Sequence, residues 1–118
     1  MSYNGQNVCA GVLVSANLQL ENVSQLAEIY LSIRQQSLAL CLPLEVEDYQ
    51  IQPMADASPP KWHLAHVTWF FETFLLKPFS KNYRVFDPSF EMLFNSYYNG
   101  VGKPFSRADR GFLSRPTL

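Results

Sequence analysis

The sequence predicts an all-α chain of two long helices, a polar connector between them, and a long irregular segment rich in aromatic residues. Three observations carry this. Apolar residues recur at steps of three and four in two separate stretches, and Pro43 and Pro78 close those stretches instead of interrupting them. The alternation that marks strands is absent. Aromatic residues are also crowded, with 13 of 17 falling between Trp62 and Phe105. Such crowding either fills a core or waits for a partner surface.

The elements follow in order. Residues 1–21 keep no sustained period and read as an N-terminal tail, leaving 22–118 as the structured part. The first helix is expected over 22–42. Leu26, Tyr30, Ile33, Ser37 and Leu40 form its stripe, Asn22 is a candidate N-cap, and Gln25 is placed to complete a capping box. Leu44 to Ala57 carries Glu45, Glu47 and Asp48 and reads as a connector with room for one short turn. The second helix is expected from Pro59 to about Lys77. Ser58 is its expected cap, because a proline at the opening position lacks only an N–H that would be orphaned anyway. Beyond Pro78, recurring prolines and glycines leave room only for short helical pieces, with Ser89 to Tyr98 the best of them. Ser114-Arg-Pro-Thr117 has the form of a fresh helix start. Two amphipathic helices cannot cover each other well, since a bundle usually takes three or four. The expectation is therefore a partial bundle.

Both histidines and both tryptophans lie in one run, Ser58 to Glu72. On a helix Trp62, His66, Trp69 and Thr73 share one stripe, so His66 is carried on an aromatic, inward-facing surface, with His63 beside it. An imidazole there has three ordinary uses: a core histidine satisfied by a backbone carbonyl, a catalytic acid or base, or a metal ligand. A metal site normally needs at least three protein ligands, and this chain has two histidines with Cys9 and Cys41 far away in sequence.

Composition narrows the function classes. With 118 residues there is room for one small domain, and 47% apolar content excludes bulk disorder. The 9 basic and 10 acidic side chains nearly cancel, which gives no electrostatic case for nucleic acid or an anionic membrane. The apolar run Val8 to Val14 is too short to span a bilayer and lacks a charged start. Two unpatterned cysteines do not make a disulfide framework and point to a reducing cytoplasm. Neither has an activating base nearby in sequence, so both are expected to be inert.

Several blocks occur together in one order: Arg34, Glu47-Asp-Tyr-Gln50, Ser58-Pro59, Lys61-Trp-His-Leu-Ala-His66, Trp69-Phe-Phe-Glu72, Leu93-Phe-Asn-Ser-Tyr-Tyr98 and Arg110-Gly-Phe-Leu-Ser-Arg-Pro116. In these the chain resembles, from about Val23 onward, the N-terminal DinB-like domain of the ergothioneine-type sulfoxide synthases, the EgtB family. The resemblance implies an incomplete DinB-like four-helix bundle. It also implies non-haem iron(II) chemistry with O2, joining the sulfur of cysteine or γ-glutamylcysteine to the imidazole of Nα-trimethylhistidine as a sulfoxide. Three histidines hold the iron in that family. His66 matches one of them, and the other two form a His-x-x-x-His pair on a later helix that this sequence does not contain.

Arg107 and Arg110 match the family's arginines that approach the carboxylate of the thiol substrate. Arginine suits that task because its planar fork meets a carboxylate with two hydrogen bonds. Read without the resemblance, they are equally solvated loop charges, and Arg115 is a structural residue beside a cap. His63 matches no ligand. Glu72 is expected on the outer helix face, with support of a ligand histidine as its other use. Asn95 to Tyr98 are expected to close a loop network in preference to lining a pocket. The expected partner is a second chain carrying the rest of the bundle and a domain related to sulfatase-modifying factors. The sequence-level alternative is a DinB-like remnant or interaction module without catalysis.

Overall fold

The computed structural model describes residues 6–117, with side chains from residue 21 onward. The chain is helical, and no strand occurs among the described residues, as expected of an all-α protein. It divides into two compact units at Leu42/Pro43. Among the described residues, no helix is long and apolar enough to cross a membrane.

The first unit is helix α1, Gln6–Cys41. It begins well before the expected start, so Asn22 lies inside it and caps nothing. The reason is local. Between Gln6 and Glu21 only Gly11 strongly disfavours helix, while Ala, Leu and Gln favour it. An apolar period reports a partner surface; its absence does not prevent backbone helix. Met1–Gly5 lie outside the described residues, as does the side chain of Cys9. Of the predicted stripe, Leu26, Tyr30, Ile33 and Leu40 are exposed. The end before Pro43 is as expected, closed by Leu42 N donating to Ala39 O at 3.2 Å.

The second unit holds the core. A 3₁₀ turn, Asp48–Gln50, supplies the short turn expected in the connector. Helix α2, Pro60–Phe71, then widens into a π-helical turn, Glu72–Leu76, and closes as α3, Lys77–Phe79. Pro78 therefore does not stop the helix at Lys77. A proline in a regular helix clashes with the carbonyl four residues back, and the π turn shifts that register just ahead of it. Ser58 does not cap α2 either. The cap residue is Pro59, with ψ 154° and no side-chain cap bond, and the Ser58 hydroxyl is used elsewhere.

Helix α4 spans only Phe90–Leu93, shorter than the predicted 89–98. Asp87 Oδ1 starts it by accepting from Ser89 N at 2.9 Å and Ser89 Oγ at 2.7 Å. Asn95 ends the helical run. Fully buried, it donates to Tyr98 O and Gly102 O at 3.2 and 3.0 Å and accepts from Tyr98 N at 3.1 Å. One side chain thus replaces the backbone bonds that a longer helix would have made, closing the loop network expected of this segment. A 3₁₀ segment, Arg107–Phe112, follows. Residues 114–117 form no helix, contrary to the predicted start there.

Trp62, Ala65, Trp69, Phe90 and Phe94 are the buried core, with Phe70, Phe74, Leu93, Val101 and Leu113 packed around it. Phe90 and Phe94 meet edge to face with centroids 4.7 Å apart, a favoured aromatic geometry. The core thus forms where the inward stripe of α2 meets α4, and this junction positions the site.

Candidate functional site

Trp62 and His66 stand one turn apart on α2, and both reach the end of α4. A helix leaves its last carbonyls without intrahelical donors. Two of these are taken here by side chains. Trp62 Nε1–H donates to Leu93 O at 3.0 Å, and His66 Nδ1 lies 2.6 Å from Phe94 O. A carbonyl only accepts, so this contact places the imidazole proton on Nδ1 and leaves the lone pair on Nε2. The His66 ring also stacks on Trp62, with centroids 4.8 Å apart and planes within 10° of parallel. It is half-buried, neither open to bulk water nor sealed in the core. Held at one nitrogen and along one face, the ring has a single remaining donor position, Nε2.

The carbonyl bond is what a packing histidine makes, and equally what orients a histidine for work at its other nitrogen. Nε2 can give its lone pair to a metal ion or exchange a proton. Among the described residues, no three His, Cys, Asp or Glu side chains gather as a metal site.

Arg110 shares the same tryptophan. Its guanidinium carbon lies 3.5 Å from the Trp62 ring centroid, and Nη1 donates to Ser58 Oγ at 2.8 Å. Only 4% exposed, it has no carboxylate within reach among the described residues, and its Nε–H is buried with no acceptor. Burial, then the charge of Arg107, lower its pKa to about 10. Arg107 is half-buried and stacks on Tyr97 at 5.1 Å. The structure therefore brings the two predicted arginines into mutual electrostatic range and places Arg110 beside His66 through one indole. The solvated-loop reading does not hold for Arg110.

His63 points outward and is exposed, with its ring edge-on to Trp62 at 5.5 Å. Desolvation, then the nearby His66 and Arg110, lower its pKa below the usual 6.5. A folded-state pKa depressed below the unfolded value contributes stability above pH 6.5 that is lost as pH falls through the folded value. Thermal melts at pH 7.5 and 5.5 should show a smaller acid-induced loss in His63→Gln than in the parent chain. An unchanged difference would show that His63 is not responsible for it.

Glu72 is not on the outer face. It is 2% exposed, and its Oε1 accepts from Phe86 N at 2.6 Å and Tyr83 OH at 3.0 Å. It fastens the loop between α3 and α4, and both of these bonds go to that loop. Desolvation, then the hydrogen bond to Glu72 and its charge, raise the pKa of Tyr83.

Two glutamines complete the site. Gln50 Nε2 donates to Gly111 O at 2.6 Å; Gln52 accepts from Gly111 N at 2.6 Å and donates to Arg107 O at 2.7 Å. Sequence reasoning placed Gln50 in a motif but missed Gln52. No periodic signal marked it, because Gln50 closes a 3₁₀ turn while Gln52 lies beyond that turn. No family model matches the chain, and no curated protein matches it.

Proposed function

We propose that this chain is the N-terminal iron- and substrate-binding portion of an ergothioneine-type, non-haem iron(II), O2-dependent sulfoxide synthase with a DinB-like bundle. The remaining ligands and the catalytic domain of such an enzyme are not among these 118 residues. The observation that carries the reading is the Trp62 platform, which holds a histidine with Nε2 left to donate and a buried arginine that has no anion among the described residues. Each is incomplete alone, and together they fit a metal-bound substrate that carries a carboxylate.

The donor chemistry fits iron(II), which takes neutral imidazole nitrogen readily. His66 would supply one ligand through Nε2, its ring fixed by the Phe94 carbonyl and the Trp62 face. When bound, iron(II) supplies the chemistry that brings thiol, imidazole and O2 together. A buried guanidinium without a counter-ion is costly, and an entering carboxylate relieves that cost by accepting from the unpartnered Nε–H and the neighbouring Nη2. Nη1 is committed to Ser58, so the carboxylate would approach side-on. Arg107 adds a second positive charge and draws the same anion.

The test is reconstitution. The chain alone, given iron(II), O2, cysteine or γ-glutamylcysteine, and Nα-trimethylhistidine, should give no sulfoxide. Mixed with a polypeptide carrying a His-x-x-x-His helix and a sulfatase-modifying-factor-like domain, it should give product detectable by mass spectrometry, and His66→Ala should abolish it. Product formation indifferent to His66 would overturn the reading. The second reading, an interaction module without catalysis, draws on the exposed Phe79, Phe86, Tyr97 and Phe112. It predicts tight association with no turnover.

A further inference from the structure

We infer that Gln52 is the positioning residue that presents Arg107 and Arg110 to a carboxylate ligand, a role that rests on the reading of that pair given above. The two arginines lie on a 3₁₀ segment, and such segments hold poorly by themselves. At its two ends the local bonds are long: Asp109 N to Ser106 O is 3.2 Å and Leu113 N to Arg110 O is 3.3 Å. Two bonds shorter than these come from outside the segment. The single amide of Gln52 accepts from Gly111 N at 2.6 Å and donates to Arg107 O at 2.7 Å, so it brackets both arginines from their two sides along the chain.

The contact is close as well as polar. A Cβ on Gly111 would lie 2.9 Å from Gln52 Cβ and 3.1 Å from its Oε1. Only glycine lets the glutamine lie against the backbone directly after Arg110. Gln50 touches the same glycine at its carbonyl and makes no bond to Arg107. The two glutamines therefore differ in a testable way: Gln50 anchors one end of the segment, whereas Gln52 fixes the separation of its ends and with it the spacing of the two guanidinium stems.

The experiment uses the 118-residue chain and sodium acetate as the carboxylate probe, with sodium chloride at matched ionic strength as control. The Arg110 Nε–H resonance is followed by NMR. In the parent chain it should shift saturably with acetate, and the Gln52 side-chain amide should shift in step with it. Gln52→Met keeps the volume but removes both bonds together with a longer, exposed one from Gln52 Nε2 to Ala55 O at 3.4 Å, and should weaken acetate binding about tenfold, equivalent to about 1.4 kcal/mol. Gln50→Met should change it less than about threefold.

Melting temperatures of both variants are recorded alongside. A merely structural role lowers them without separating the two affinities, and that result overturns the inference. If the parent chain binds acetate at Arg110 while the Gln52 amide does not respond, the inference fails alone, whether or not Gln52→Met folds. If Arg110 shows no acetate-specific shift in the parent chain, the arginine reading fails and the positioning role falls with it.

Discussion

Phe94→Ala is expected to unfold most of the 43–118 unit. Phe94 has no exposed surface, packs edge to face on Phe90, and lies 6.5 Å from Trp62 between ring centroids. Truncating a fully buried phenylalanine costs about 3–5 kcal/mol through lost transfer energy and the cavity left behind. Whole domains are stable by only about 5–15 kcal/mol, and small ones sit at the low end. The loss therefore takes most of what this unit has. Near-ultraviolet circular dichroism should lose its aromatic signal, and the urea midpoint should fall towards zero. A loss below about 1 kcal/mol would mean that the core is not where the structure places it.

Glu72→Ala comes next in size, because it removes a buried carboxylate and leaves two donors without their acceptor. Tyr83 OH and Phe86 N–H both end on Glu72 Oε1. Hydrogen bonds to a charged group contribute about 1.5–3 kcal/mol each, and a buried donor left unmade costs more than a pair removed together. The bond from Phe86 N–H sets the expected loss, about 1.5–3 kcal/mol in a urea titration. Glu72→Gln keeps an acceptor oxygen and should cost about 1–2 kcal/mol. Hydrogen exchange gives a second readout, with Phe86 N–H protected in the parent chain, less so in Glu72→Gln and open in Glu72→Ala. Equal losses in the two variants would show that the carboxylate's volume, not its acceptors, holds the loop.

What was legible in the sequence was local. The step of three and four placed Trp62, His66 and Trp69 on one stripe, and the two tryptophans are buried along it with His66 between them. Pro43 ended α1 where a proline must. Three failures share one cause. Ser58 was read as a cap and Glu72 as a surface charge because each was judged against its own helix. Each is instead claimed by a residue distant in sequence, 52 positions away in Arg110 and 14 in Phe86. Gln52 was missed for the same reason, with Gly111 standing 59 positions on. Periodicity reports which face of a helix is apolar, but it carries no information about which polar side chain will meet which loop.

Asn22 failed differently. It has cap chemistry, but nothing before it breaks a helix, so the helix runs through it. At Pro78 the opposite happened: a strong stop signal was absorbed by one π turn. Both outcomes show backbone signals being weighed against the register of neighbouring residues rather than acting alone.

The most direct measurement concerns His66 Nε2. Iron(II) is titrated anaerobically into the isotopically labelled chain, and line broadening from the paramagnetic ion is mapped by NMR. Binding should be weak, with broadening centred on the His66 ring, Trp62 and Phe94, and lost in His66→Gln. Broadening that centres elsewhere, or that survives the loss of His66, would contradict the account.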